Sequence, residues 1–192
     1  MKLIAAVGSL AICLAQEPEN SNANRAVFGI TVVDTIGLEG KIYDLKVGQK
    51  FLPNFARMKP VGSIYTSSLN IPPRDFLQGF PGVTKRTEWF AIDYNGKFWI
   101  GMPGKYKFSL LSDDGSKLYI DKKLVIDNDG THPPLLLYGA IVLKNGSHNI
   151  RVSYFQGPRT AVALVLKVAF EENREFKIFN TRDFRPPLPD GK

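Results

Sequence analysis

Chemistry-bearing side chains are scarce in this sequence. Its 192 residues include one cysteine, Cys13, and two histidines, His132 and His148, so no disulfide can close within it and no thiol nucleophile stands beyond residue 13. There is no G-x-S-x-G elbow, no H-E-x-x-H pair and no glycine-rich loop opening a helix to cradle phosphate. The common serine hydrolase, zinc peptidase and nucleotide-binding designs are therefore left out. No segment keeps a helical apolar period for three turns, which argues against a helical domain. The apolar run from Leu3 to Leu14 is too short to span a bilayer, and no other run approaches that length. Charge is not gathered into blocks either. The formal net charge is +7, yet Lys85-Arg86 and Lys122-Lys123 are the only adjacent basic pairs. A nucleic-acid footprint needs a stripe of such residues, so no nucleic-acid partner is expected.

What is present begins with an export signal. Met1-Lys2, the run Leu3 to Leu14 and the exit Ala15-Gln16-Glu17-Pro18 have the charged start, short apolar centre and small-residue cleavage site of a secretory signal peptide over residues 1–15. Acylation of Cys13 in a lipoprotein is the alternative, disfavoured by the bulk of Ile12. Residues 16–27 are predicted as polar linker, 28–180 as a β domain and 181–192, with Pro186-Pro187-Leu188-Pro189, as an extended tail. The expected location is secreted, periplasmic or at the cell surface. A hydrophobic content of 44% suits a single globular domain, whose stability must come from its core because the mature chain has no cysteine.

Alternation with a period of two marks strands at Phe28-Ile30-Val32, Trp89 to Tyr94, Phe98 to Gly101, Tyr106-Phe108-Leu110, Leu118-Ile120, Ile150-Val152-Tyr154 and Val162-Leu164-Leu166-Val168. Asn95-Gly96, Pro103-Gly104, Asp114-Gly115, Asp129-Gly130, Asn145-Gly146 and Gly157-Pro158 are read as the turns between them. The Pro-rich stretch Phe51 to Pro81 is expected to be long loop with one strand at Ser63 to Leu69. Many short strands with regular turns imply an all-β, antiparallel sandwich or barrel in one domain.

The candidate site is Asp113-Asp114, two adjacent carboxylates in a turn between strands. Such a pair is either solvated, bonded to local backbone N–H groups with Gly115 taking positive φ, or built around a cation. Asp127-Asn128-Asp129-Gly130 opens like an EF-hand loop, but His132 stands at the sixth position and no Glu closes it, so it reads as a turn. Each histidine has a structural explanation, and the aromatics Trp89, Phe90, Tyr94, Phe98 and Trp99 are expected mainly in the core.

The run Tyr106 to Asp121, with Ser112-Asp113-Asp114-Gly115-Ser116 followed by Leu118-Tyr119-Ile120-Asp121, then Val125 to Asn128, His148 to Val152 and Tyr154-Phe155, resembles the PA14 domain. The resemblance spans roughly residues 37 to 170. It implies a β-barrel or sandwich found outside cells and often binding carbohydrate; with no catalytic set visible in the sequence, no enzyme is expected. In lectin-like members two adjacent aspartates joined by a cis peptide hold calcium, which implies that role for Asp113 and Asp114. A late loop helps with an Asn and carbonyls; the matching loop here, residues 156–160, has Gln156, whose amide oxygen could substitute, and Arg159, whose charge opposes a metal. A glycan partner with calcium as cofactor is thus one expectation. A protein partner in the cell envelope, with the acidic turn only structural, is the other.

Overall fold

The structure is a computed structural model that describes residues 37–83, 86–158, 161–171 and 173–187. The leader, the linker and the strand expected at Phe28-Ile30-Val32 lie outside the described residues. Among the described residues eleven strands form two antiparallel sheets: β1 (Leu38–Asp44), β2 (Gly62–Thr66), β3 (Asn70–Asp75), β4 (Phe90–Ile100), β5 (Gly104–Asp113), β6 (Ser116–Ile120), β7 (Lys123–Asn128), β8 (Leu135–Leu143), β9 (Gly146–Gln156), β10 (Ala161–Phe170) and β11 (Lys177–Ile178). The first sheet runs β2-β1-β4-β9-β6-β7; the second runs β11-β10-β5-β8, with β3 also paired to β10.

Alternation builds the core between the sheets. Phe90, Ile92, Tyr94, Phe98 and Ile100 of β4 face Phe108 and Leu110 of β5, Val152 and Tyr154 of β9, and Leu164 and Leu166 of β10 in one buried cluster. A smaller cluster of Tyr43, Leu45, Phe55, Ala91 and Phe155 lies apart from it, with Trp89 packed against it. The segment after β11 closes one end: Phe179 and Thr181 are fully buried, Phe98 meets the Phe179 and Phe184 rings at 5.4 and 5.9 Å, and Trp99 N–H donates to the Phe184 carbonyl. No break in packing separates residues 180 and 181.

Three expectations differ from the structure. Asn95-Gly96 is not a turn, because β4 runs unbroken from Phe90 to Ile100. A Cβ on Gly96 would lie 2.7 Å from Leu38 Cδ2 and 2.8 Å from the Gly37 carbonyl, so glycine is there to let β1 approach. The Pro-rich stretch holds two strands rather than one, and β3 itself contains Pro72 and Pro73. It tolerates them because, among the described residues, it pairs with β10 alone, and the register shifts between Val162 and Leu164. Strands β1 and β8 were not foreseen; β8, Leu-Leu-Leu-Tyr-Gly-Ala-Ile-Val-Leu, has no polar alternation to reveal it.

The β6–β7 turn places Asp121 and Lys122 at positive φ, 49° and 67°. Asp121 accepts from Asn149 N–H at 2.8 Å and pairs with His148 Nδ1 at 2.6 Å, tying this turn to the start of β9. Burial pulls the Asp121 carboxyl upward, but the His148 and Asn149 bonds outweigh it and hold the carboxyl below its ordinary value. A carboxyl depressed in the folded state adds stability above its unfolded pKa, and the gain is lost as pH falls through the folded value. Asp121→Asn is therefore expected to lose less stability than wild type on acidification, as read from urea midpoints across the carboxylate range. Equal acid sensitivity would contradict this.

Candidate functional site

The Asp114-Gly115 turn carries the chain from β5 in the second sheet to β6 in the first, so it is a corner of the sandwich. The peptide bond between Asp113 and Asp114 is cis. Both residues are buried, at 0% and 1% exposure, and Gln156 of β9 is at 0%. The Asp114 carboxylate accepts from His132 N–H at Oδ1 (3.1 Å) and from Gly157 N–H at Oδ2 (2.7 Å), with Gln156 Nε2 at 3.5 Å from Oδ2. Burial raises its pKa, and the Gly157 and His132 bonds offset only part of that rise.

The turn's other side is held by Tyr154. Its hydroxyl donates to the Asp113 carbonyl at 2.7 Å and also meets Gln156 Oε1 at 2.5 Å. Burial first, then the Asp113 and Asp114 charges, push this hydroxyl well above the ordinary tyrosine value, with Arg74 acting the other way. Gln156 Nε2 donates to the Ala161 carbonyl at 3.0 Å, which fixes the amide so that its oxygen faces Tyr154. Beneath the turn, Ser112 and Ser116 hydroxyls pair at 2.7 Å and Asn128 Nδ2 donates to Ser112 Oγ at 3.0 Å. Positive φ belongs to Gly130 and Gly146, each at 122°, rather than to Gly115. Gly115 is needed for space: a Cβ there would lie 2.4 Å from Phe155 Cε1 and 2.7 Å from Gly130 N.

This buried acidic corner lies at the junction of two antiparallel sheets. The sequence profile of the PA14 domain matches residues 72–177, more than half of the chain. The chain belongs to the PA14 domain family. No curated protein matches the chain. Among solved structures, the PA14 domain of the MpAFP antifreeze protein superposes with a TM-score of 0.65 at 14% identity, covering 77% of this chain and 88% of that one. The PA14 sugar-binding domain from an RTX adhesin gives 0.62 at 17%, covering 76% and 96%. The Epithelial Adhesin 9 A domain from Candida glabrata, in complex with Galb1-3GlcNAc, gives 0.52 at 13%, covering 74% and 86%. At these identities the likeness is one of fold.

For this PA14 domain, Asp113, Asp114 and Gln156 do come together, while Arg159 lies outside the described residues. Calcium takes about six to eight oxygens. Here the Asp114 oxygens already accept N–H groups, Gln156 turns its nitrogen to the acid and its oxygen to Tyr154, and no group of three or more His, Cys, Asp or Glu side chains fit to hold a metal occurs among the described residues. Asp127 and Asp129, the EF-hand-like pair, both meet Lys117 Nζ, at 3.3 and 3.2 Å, so a lysine stands where a cation would. His132 acts through its backbone, and its ring lies between the Pro133 and Asn128 carbonyls. Sequence reasoning missed Tyr154 and the N–H groups of His132 and Gly157. Backbone donors leave no mark in the sequence, though Tyr154 lies on a strand already assigned.

Proposed function

We propose that this PA14 domain is a non-enzymatic carbohydrate-binding module that works outside the cell, whether secreted, periplasmic or surface-bound. The observation that carries the reading is the double seat made by Asp114. One carboxylate holds the loop after β7 through His132 N–H and the loop after β9 through Gly157 N–H. Two surface loops are thereby fixed side by side at one corner, which suits a rigid rim for a sugar. The sugar-binding domain of the RTX adhesin and the Candida glabrata adhesin domain bound to a disaccharide share this fold and support a binding role.

In this reading Asp113 and Asp114 position the rim, and the protein's own N–H groups satisfy the carboxylate without a resident calcium. A broad glycan array tests it. Binding to at least one neutral or charged glycan is expected, lost in Asp114→Asn while circular dichroism stays unchanged; no binding across the panel would sink the proposal and turn the search to envelope protein partners. Calorimetric titration of calcium into chelator-treated protein, with Asp113→Asn/Asp114→Asn as control, is expected to be silent. Heat from the wild type alone would restore the metal to the site.

A further inference from the structure

The solvent face of the first sheet carries a groove of about 640 Å³, lined by Asn95, Gly96 and Lys97 of β4, Tyr119 and Lys122 around the β6–β7 turn, and Asn149 and Arg151 of β9. That volume falls within the range of about 300 to 1,000 Å³ usual for small-molecule sites. Register explains the grouping: Arg151 lies between Asn95 on β4 and Tyr119 on β6, and Asn149 lies opposite Lys97.

Arg151 is held ready for a ligand. Its Nε donates to Asp93 Oδ1 at 2.7 Å, and its guanidinium carbon sits 5.6 Å from the Phe55 ring centre and 5.5 Å from that of Tyr119. Among the described residues neither of its Nη groups donates to a protein acceptor, and 41% of the side chain is exposed. Asp93 is consumed as an anchor: Oδ1 also accepts from Ser153 Oγ at 2.7 Å and Oδ2 from Asn95 Nδ2 at 3.1 Å. Lys97 and Lys122 are exposed and meet no carboxylate among the described residues. Glu39, across from Asn95 on β1, lies outside the groove lining and accepts from the Tyr65 hydroxyl.

The groove therefore offers three cations against one internal carboxylate, two asparagine amides and the edge of an aromatic wall. A planar guanidinium with its Nη groups open matches a carboxylate or sulfate in a two-point contact. Amides and a flanking ring suit the hydroxyls and C–H face of a pyranose. The geometry points to a second binding site here, for an acidic saccharide: a pyranose bearing a carboxylate or sulfate, bound across Lys97, Lys122 and Arg151. This rests on the reading of the domain as a carbohydrate binder and places a charged-sugar site away from the Asp114 corner.

Titration of the purified protein with oligogalacturonate, a sulfated dextran oligomer and a neutral malto-oligosaccharide of equal length tests it. At least one anionic sugar is expected to bind about tenfold or more tightly than the neutral one, and the arm that responds identifies carboxylate or sulfate as the recognised group. Lys97→Gln/Lys122→Gln is expected to reduce that binding about tenfold, whereas Lys105→Gln/Lys107→Gln, which removes equal charge from the second sheet, leaves it unchanged. Equal loss in both variants, or no preference for the anionic sugars, overturns the site. Glycans bound at the array stage and unaffected by the Lys97 and Lys122 changes would leave the carbohydrate reading standing and remove only the groove. No binding of any sugar would remove both.

Discussion

Asp114→Ala is expected to cost about 3 kcal/mol of stability, enough to lower the urea midpoint markedly. The substitution leaves the buried Gly157 N–H without an acceptor, at about 1 to 3 kcal/mol, and the part-buried His132 N–H at the low end of that range. Relief of a desolvated charge offsets part of that loss. Asp114→Asn keeps one acceptor but presents Nδ2 to the other N–H, so a smaller loss is expected. The pH dependence has a defined sign. Burial raises the Asp114 carboxyl in the folded state, so the folded protein binds more protons than the unfolded one between the two pKa values, and stability falls as pH rises through that window. The advantage of wild type over Asp114→Asn should therefore grow on acidification from the raised folded value toward the ordinary carboxylate value. A gap that narrows instead would show that the corner is not held as described.

Gly115→Ala is expected to be about as damaging, near 3 kcal/mol. Its Cβ would press into a ring edge at 2.4 Å and into the Gly130 backbone at 2.7 Å from N and 2.9 Å from O. Phe155 is fully buried, so the ring cannot swing into solvent, and the Gly130 backbone belongs to the neighbouring turn. Gly101→Ala is the matched control. Nothing lies within 4 Å of its added Cβ and its φ is not left-handed, so its effect should stay within about 0.5 kcal/mol. Denaturation of the two variants side by side checks the pair, and equal midpoints would refute the steric account.

The architecture was legible where the two faces of a strand meet different surroundings. Val162, Leu164, Leu166 and Val168 face the core, and their spacing alone announces it. Legibility failed where one residue type serves two purposes. Asn95-Gly96 has the composition of a turn, yet Gly96 thins a continuous strand so that β1 can pass. Pro72-Pro73 reads as loop until one sees that, among the described residues, β3 has a neighbour on one side only. Strand β8 is apolar at eight of nine positions although many of its side chains are exposed, so no period marked its faces.

The acidic turn itself stood out as two adjacent carboxylates between strands, and the family resemblance named the same residues. What turns it into a corner is less visible. The donors come from residues 18 and 43 positions later in the chain, and both are backbone groups, for which side-chain identity carries no information. Gln156 was identified as a contributor, but the direction of its amide depends on the Ala161 carbonyl, a neighbour that only the β9–β10 geometry supplies. The groove on the first sheet was invisible for a related reason. Lys97, Tyr119 and Arg151 look like ordinary solvent-facing residues until cross-strand register sets them side by side.

Thr181 reaches back 114 positions to the Ser67 carbonyl, and β10 must find β3, some ninety residues earlier by register at Arg74 and Val162. Strand β4 likewise waits for β9. Few pairs in either sheet can form between neighbours in sequence, so large loops must close before most of the core is rewarded. Chains of such topology fold in milliseconds to seconds rather than microseconds. A sandwich completed by β10 and β11 therefore cannot close until the chain has been made at least to Phe170, and β3 and β5 of the second sheet both wait for β10 as a partner.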